Sequence, residues 1–216
     1  MKTAVVMGGT GLVGRHLVDL LLADDQYSRV ILLVRKPSGQ IHPKLKEQII
    51  NFEQLDFQTP TDEVFCCIGT TIKAAGTQAA QYRVEVDYPV QLAQQALAHG
   101  ARQFLIVTST GADPKSRIFY NRMKGEVEQK LSKIGYPILH ILRPSLLLGN
   151  RAEHRPGEAF ATHFAYWTSW IMVGPLRRYR AIEAKKVAQA LKNLAQHKQT
   201  GTFFHESEVL QGSDKQ

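Results

Sequence analysis

Short apolar runs alternate with segments of helical periodicity along most of the chain. Six runs rich in apolar, often β-branched residues are predicted strands, at residues 3–7, 29–34, 48–52, 63–68, 103–108 and 137–142. Their nearly continuous apolar character is typical of strands that are buried on both faces. Helical patterns cover residues 11–23, 82–99 and 120–134, and a further helix at 185–197 precedes a short strand at 202–205. This alternation predicts an α/β fold with a doubly wound parallel sheet.

One segment does not follow the alternation. From Pro144 to about residue 181 the chain is basic, aromatic and interrupted by prolines. The segment is too short for a second domain, so we expect a single domain over residues 1–216, with 144–181 as a small cap on the carboxyl edge of the sheet. Ligands bind at that edge in open α/β sheets, which makes the cap the expected substrate segment.

Composition and charge narrow the choice of partners. The 216 residues include 27 Lys and Arg against 19 Asp and Glu, and the net charge of +8 favours an anionic ligand. No run of basic residues stands alone, so nucleic-acid binding is not favoured. The two cysteines are adjacent and no metal-ligand spacing is present, so no metal site is expected. The sequence shows neither a signal peptide nor an apolar stretch long enough to span a bilayer, and we expect a cytoplasmic protein.

A glycine-rich string directly follows the first predicted strand and opens an apolar helix, which is the context that makes such a string informative. In a Rossmann-type fold Gly8 would permit the tight turn, Gly11 would admit the pyrophosphate of a dinucleotide, and Gly14 would let the helix pack closely on the strand. The phosphate charge would meet free N–H groups at the helix N-terminus. The alternative is a tight turn that binds no ligand. The predicted cofactor contacts of this turn are Gly8, Thr10, Gly11, Leu12, Val13 and Gly14.

The ends of the second and third strands bear on which dinucleotide binds. In NAD-binding folds an acidic residue near the end of the second strand binds the ribose 2′-hydroxyl. Arg35 and Lys36 stand there instead, so NADP(H) is favoured over NAD(H), with a solvated basic strand end as the alternative. Asn51 and Phe52 end the third predicted strand and are candidates to flank the adenine, although ordinary packing explains them equally well.

A hydroxyl, a phenol and an ammonium follow the fifth predicted strand at spacings that suit carbonyl reduction. Ser109 stands at the strand end, while Tyr120 and Lys124 lie four residues apart on one face of the next helix. An ammonium stabilises a phenolate and so makes the phenol a better proton donor, and a nearby hydroxyl can orient the carbonyl oxygen. These three are the predicted catalytic residues. Thr110 is the alternative to Ser109, and a surface Tyr–Lys pair is the alternative to a catalytic one.

Seven short segments, in order along most of the chain, carry a family resemblance: residues 8–14, 66–71, 83–88, 109–113, 120–126, 142–145 and 155–158. In them the sequence resembles the short-chain dehydrogenase/reductase superfamily, and specifically its atypical, Tat-interacting-protein-like branch. The resemblance implies NADP(H) binding and an oxidoreductase in which Lys124 also holds the nicotinamide ribose and Pro144 lies beside the nicotinamide. It also implies that Gly69, Thr70 and Thr71 lie near the cofactor, where many members carry an Asn-Ala-Gly turn.

Two functions are consistent with this resemblance. The preferred hypothesis is an NADPH-dependent oxidoreductase of a small carbonyl compound. The alternative is a dinucleotide-binding regulator with little or no turnover, since the branch includes regulators and Glu85 stands where extended members often have Asn. A sugar-nucleotide epimerase is less consistent with the sequence, because we expect its substrate domain to need more residues after Arg143. The helices at 82–99 and 120–134 are candidates for a homodimer face.

Overall fold

A sheet of seven parallel strands organises the fold. The computed structural model describes residues 1–149 and 180–212. Its strands are β1 (Lys2–Met7), β2 (Tyr27–Val34), β3 (Leu45–Ile49), β4 (Glu63–Cys66), β5 (Gln103–Val107), β6 (Ile138–Arg143), β7 (Leu147–Leu148), β8 (Ile182–Glu183) and β9 (Gly201–Glu206). The sheet order is β3-β2-β1-β4-β5-β6-β9, and β7 pairs with β8 separately. All neighbouring strands are parallel, which confirms the predicted α/β doubly wound sheet.

Helices cover both faces of the sheet. They are α1 (Leu12–Leu22), α2 (Ile72–Ala75), α3 (Gln78–Tyr82), α4 (Tyr88–Ala98), α5 (Phe119–Ser132), α6 (Ala184–Leu194) and α7 (Ser207–Gln211), with a single π-helical turn (Arg83–Asp87) between α3 and α4. Along β1, Ala4 and Val6 pack into the apolar cluster that includes α1 and α6, whereas Val5 and Met7 pack into the cluster that includes α4 and α5. A strand buried on both faces needs apolar residues at every position, and this accounts for the continuous apolar runs of the sequence.

The strand order fixes where a ligand is expected. From β1 the chain moves outward to β2 and β3, then returns to the other side of β1 with β4, so the winding direction reverses between β1 and β4. Loops at the carboxyl ends of these two strands diverge and leave a crevice at that point, which is where open α/β sheets bind ligands.

Two elements differ from the sequence-based predictions. The third strand occupies Leu45–Ile49 rather than residues 48–52, because β3 is an edge strand whose side chains are all at least partly exposed. The apolar residues that follow leave the sheet, and Phe52 begins a short 3₁₀ helix (Phe52–Gln54). The helix predicted over 82–99 is broken into α3, the π-turn and α4, and α4 ends at Ala98.

The predicted cap at 144–181 lies mostly outside the described residues. Its described ends are Pro144 to Gly149, which include β7, and the two residues that precede β8. No helix within residues 1–149 and 180–212 is long and apolar enough to cross a membrane. Over the same ranges, no group of three or more His, Cys, Asp or Glu side chains could hold a metal ion.

Candidate functional site

The turn between β1 and α1 requires glycine at two positions. Gly8 has a φ of +83°, in the left-handed region that favours glycine, and its carbonyl oxygen accepts the N–H of Gly11 at 3.0 Å. A Cβ on Gly14 would lie 2.1 Å from the Gly8 carbonyl oxygen, so a side chain there would force α1 away from the turn. The close approach of helix and strand therefore depends on these residues.

This turn forms one end of a cleft of about 900 Å³ at the carboxyl edge of the sheet. Four of its predicted cofactor contacts, Thr10, Gly11, Leu12 and Val13, line the cleft. Gly11 is the N-cap of α1, and no side chain caps this eleven-residue helix, so its first N–H groups are left for a ligand. An anion is the ligand that such a helix end stabilises best. The residues present therefore fit the pyrophosphate of a dinucleotide.

The residues predicted to bind the 2′-phosphate and to flank the adenine do not line this cleft. Arg35 and Lys36 directly follow β2 and are exposed. Asn51 is exposed, and its side-chain oxygen accepts the N–H of Glu53 at 3.0 Å as the cap of the 3₁₀ helix. Phe52 is half-buried and stacks on Tyr88, with ring centroids 5.5 Å apart. The roles predicted for these four residues stay predictions.

The loop after β4 begins beside the glycine turn, where the Cys67 backbone packs against Gly8. Gly69, Thr70 and Thr71 all line the cleft, and the Thr71 hydroxyl accepts the N–H of Ala74 to cap α2. The Thr70 backbone is held on both sides. Its N–H donates to Glu85 Oε1 at 2.7 Å, and its carbonyl oxygen accepts from Gln81 Nε2 at 3.1 Å. Two buried side chains on the α3–π-turn segment thus fix the position of this loop.

The phenol and the ammonium predicted from the sequence meet in the cleft. Tyr120 lies on the first turn of α5 with 41% of its surface exposed, and Lys124 Nζ lies 6.0 Å from the Tyr120 ring centroid. Lys124 is buried and donates to Glu85 Oε2 at 2.7 Å. Burial by itself lowers the pKa of the Lys124 ammonium, but Glu85 and Tyr120 outweigh it, so the pKa lies above its ordinary value. Lys124 is therefore a protonated donor inside the site.

The hydroxyl groups that follow β5 are less accessible from the cleft than the predicted catalytic role requires. Thr108 lines the cleft, but its hydroxyl donates to Glu128 Oε1 at 2.6 Å. The Thr110 hydroxyl donates to the Arg143 carbonyl oxygen at 3.0 Å. Ser109 Oγ is buried without a hydrogen-bond partner among the described residues, and Ser109 does not line the cleft. The structure thus brings Tyr120 and Lys124 together, and it leaves the Ser109 hydroxyl buried and outside the cleft lining.

Packing around the start of α5 sets the position of Tyr120 and Lys124. A Cβ on Gly125 would lie 2.2 Å from the Pro114 backbone nitrogen, so this helix can approach the loop after β5 only with glycine there. Pro144, which follows β6, is buried, and its carbonyl oxygen accepts the N–H of Thr110 at 2.9 Å. The loops after β5 and β6 are therefore joined directly behind the cleft.

Sequence reasoning missed several residues of the cleft. Arg15 and Lys73 add positive charge to its lining, and Ile118 adds an exposed apolar side chain at its mouth. Gln81 is buried in the wall, and Glu85 was noticed only as a departure from a family pattern. Arg15 could have been found from its place directly after the last glycine of the turn. No sequence signal pairs Glu85 with Lys124, which are 39 residues apart.

Comparison with known proteins gives a consistent result. Residues 4–127 match the family described as "NAD dependent epimerase/dehydratase family". The chain is similar to "Protein fmp52, mitochondrial" of Aspergillus niger, with 33% identity over 100% of this chain and 93% of that protein. It is also similar to "Protein HTATIP2" of Rattus norvegicus, with 34% identity over 76% of this chain and 70% of that protein. These matches confirm the predicted resemblance to the Tat-interacting-protein-like branch.

Among solved structures, "MoeE5 in complex with UDP-glucuronic acid and NAD" superposes with a TM-score of 0.70 over 94% of this chain and 75% of that chain. The identity is 17%, so this likeness concerns the fold alone.

The predicted cytoplasmic location is wrong, because similar proteins such as those of Aspergillus niger and Coccidioides immitis are named as mitochondrial. That prediction rested on the absence of a recognisable targeting segment, which is a weak basis for a location.

Proposed function

The chain belongs to the NAD dependent epimerase/dehydratase family, and from that premise we propose that it is an NADP(H)-dependent oxidoreductase of a small carbonyl compound. The observation that carries the proposal is the position of Tyr120 and Lys124. A half-exposed phenol and a buried, charged ammonium lie together in the cleft that begins at the glycine turn. A dinucleotide whose pyrophosphate sits at the start of α1 can extend along this cleft towards them.

Each residue has a distinct part in the proposed reaction. A reduced nicotinamide dinucleotide held at the glycine turn and by Lys124 would supply the hydride that a carbonyl carbon needs to become an alcohol carbon. Tyr120 donates its phenolic proton to the oxygen, so the products are an alcohol and the oxidised dinucleotide, and solvent restores the proton to Tyr120. Lys124 stabilises the transient phenolate and would hold the nicotinamide ribose.

Ser109 enters the proposal as the group that orients the carbonyl oxygen. Its buried, unpartnered hydroxyl must turn or move into the cleft to reach a substrate. Catalytic hydrogen bonds often form only once the substrate is bound, so the present geometry is compatible with the role.

The preference for NADP(H) rests on charge. Arg35 and Lys36 follow β2, whose carboxyl end lies next to the glycine turn, and the cleft lining adds the cationic side chains of Arg15 and Lys73. Cations there favour a 2′-phosphate, and an arginine can bind it with two hydrogen bonds. The MoeE5 structure contains NAD, which supports a nicotinamide dinucleotide as the class of cofactor.

The test compares NADPH binding with NADPH oxidation on a panel of aldehydes and ketones. Tyr120→Phe keeps the ring but removes the proton donor, so the rate should fall about 10²–10⁴-fold with binding nearly unchanged. Lys124→Ala should weaken both, and Ser109→Ala should mainly lower the rate. Tyr82→Phe is the matched control, because Tyr82 also lies under a lysine, with Lys130 Nζ 5.3 Å from its ring centroid, but does not line the cleft. Full turnover in Tyr120→Phe would refute the catalytic assignment.

A second candidate function is a dinucleotide-binding regulator with little turnover. The buried position of the Ser109 hydroxyl favours it, because the site then lacks a ready group to orient a carbonyl oxygen. Under this alternative Lys124→Ala weakens NADPH binding, whereas Tyr120→Phe changes nothing in either assay. The same set of variants therefore separates the two functions.

A further inference from the structure

Glu85 is the most deeply buried charged residue that lines the cleft, and its carboxylate binds two elements at once. Oε2 accepts from Lys124 Nζ at 2.7 Å, and Oε1 accepts the N–H of Thr70 at 2.7 Å. The side chain is 2% exposed and that of Lys124 is 6% exposed. Both carboxylate oxygens are thus used, one on the ammonium and one on the loop after β4.

We propose that Glu85 is a positioning residue of the site, which keeps Lys124 charged and directed towards Tyr120 and locks it to the loop formed by Gly69, Thr70 and Thr71. This inference rests on the proposed function only in its catalytic consequence. The ion pair itself is a property of the cofactor-free protein.

Because Lys124 is buried, its charge depends on a nearby counter-ion. A lysine ammonium that loses contact with water and has no counter-ion tends to release its proton, because the neutral amine is easier to bury. Within residues 1–149 and 180–212, the titratable groups that face Lys124 are Glu85 from the π-turn, Tyr120 from its own helix and Cys66 from the end of β4. Burial raises the pKa of the Cys66 thiol to about 12, so it is neutral near pH 7 and adds no counter-charge. Among these groups Glu85 supplies the negative charge that holds the proton on Lys124.

The π-turn sets the direction of the residues before it relative to α4. In an unbroken α-helix over residues 78–98, each residue advances about 100° around the axis. The wider turn at Arg83–Asp87 inserts an extra residue and changes the direction of the side chains before it relative to α4. Gln81 and Glu85 are four residues apart and share a face, so both reach Thr70, Gln81 donating to its carbonyl oxygen and Glu85 accepting from its N–H.

The position of Lys124 and that of the loop are consequently linked. The same carboxylate accepts from Lys124 and from Thr70, so a displacement of either partner alters the other contact. Removal of the charge should therefore affect the loop and the ammonium together, whereas shortening the side chain should weaken both contacts but keep the charge.

The test uses Glu85→Gln and Glu85→Asp in the cofactor-free protein. Lysine labelled with ¹³C at Cε reports the charge of each amine by NMR, and Lys124→Met identifies the Lys124 resonance. We expect no titration of Lys124 between roughly pH 6 and 9.5 in the wild type and in Glu85→Asp, and a titration within that range in Glu85→Gln. A Lys124 resonance in Glu85→Gln that does not titrate there would overturn the proposal, as would equal titration in both variants.

The matched control is Glu63→Gln. Glu63 is also a buried carboxylate bound to a lysine, with Lys2 Nζ at 2.5 Å, but it lies at the opposite, amino end of β4. Its removal should leave the Lys124 resonance unchanged, and a shift there would show that the reporter responds to general destabilisation rather than to Glu85.

The catalytic consequence is a change in the pH profile. In Glu85→Gln the rate of NADPH oxidation relative to the wild type should fall about tenfold between roughly pH 6.5 and 9, because Lys124 loses its proton, and Glu85→Asp should restore a parallel profile. A purely structural role would lower the rate by the same factor at every pH. If the wild type oxidises no NADPH, the proposed function fails, and the NMR titration still decides the role of Glu85.

Discussion

Mild acidification should destabilise this protein, and we expect His140 to contribute about 2 kcal/mol of the loss between roughly pH 7.5 and 5. His140 lies on β6 and is fully buried, with its Nδ1 3.0 Å from His205 Nε2 on the neighbouring strand β9. The ring of His197 lies 5.9 Å away, and Phe203 stacks on His140 from the same strand as His205. A proton on His140 would place a charge in this apolar setting beside two other imidazoles.

The magnitude follows from the pKa. Burial, with the neighbouring His205 and His197, lowers the pKa of His140 from 6.5 to about 4. The unfolded chain therefore binds more protons than the folded protein below about pH 6.5, so stability is complete above that pH and is lost as the pH falls towards 4. One pKa unit corresponds to about 1.4 kcal/mol, which gives about 3 kcal/mol for the whole shift and about 2 kcal/mol by pH 5. The pKa of His205 is also lowered, which adds a loss of the same sign.

The assay is urea unfolding of the wild type and of His140→Gln at a series of pH values. Glutamine has a similar volume and can bond to His205, but it does not titrate. The variant should lose about 2 kcal/mol less than the wild type between pH 7.5 and 5, whatever its stability at neutral pH. If His140→Gln loses as much stability as the wild type, His140 is not the group that titrates.

Three further predictions concern the cofactor turn and the basic strand end. In a fluorescence titration NADPH should bind more tightly than NADH, and Arg35→Ala should reduce the difference between their binding free energies by roughly 1–3 kcal/mol. Equal affinities of the wild type for NADPH and NADH would refute the preference. Gly11→Val should abolish dinucleotide binding but keep the circular dichroism spectrum, because Gly11 lines the cleft and its side chain would occupy the place of the pyrophosphate; retained affinity would make the turn merely structural. Gly14→Ala should lower the free energy of unfolding by roughly 1–3 kcal/mol by overpacking, whereas Gly212→Ala, whose Cβ would meet its nearest atom at 3.7 Å, should not.

The central strands could be predicted from the sequence because burial on both faces leaves only apolar residues in them. Residues of β1, β4 and β5 show this in nearly unbroken form. The edge strand β3 has no such constraint, and its polar sequence was less conspicuous than the apolar residues after it, which pack on α4 through Phe52 and Tyr88 instead. Local patterns thus identify the buried strands and misplace the exposed one.

In the site, too, the local features could be predicted and the long-range contacts could not. The glycine turn and the spacing of Tyr120 and Lys124 are local, so the sequence predicts them directly. The hydrogen bonds of Thr108 and the burial of Ser109 depend on α5 and β6, which local spacing does not reveal. Glu85 and Lys124 lie on different elements, 39 residues apart, and hydrophobic periodicity predicts an unbroken α-helix across the π-turn without any sign of this pair.

The π-turn at Arg83–Asp87 also affects how this segment tolerates changes of length. Deletion of a single residue here would restore a regular α-helix and rotate α3 by about 100° relative to α4, with a shift of about 1.5 Å along the axis. Gln81 would then leave the Thr70 carbonyl oxygen, although every side chain of the site was still encoded. Related sequences that keep this site should therefore align without gaps across the turn, while their side chains on its exposed face vary freely.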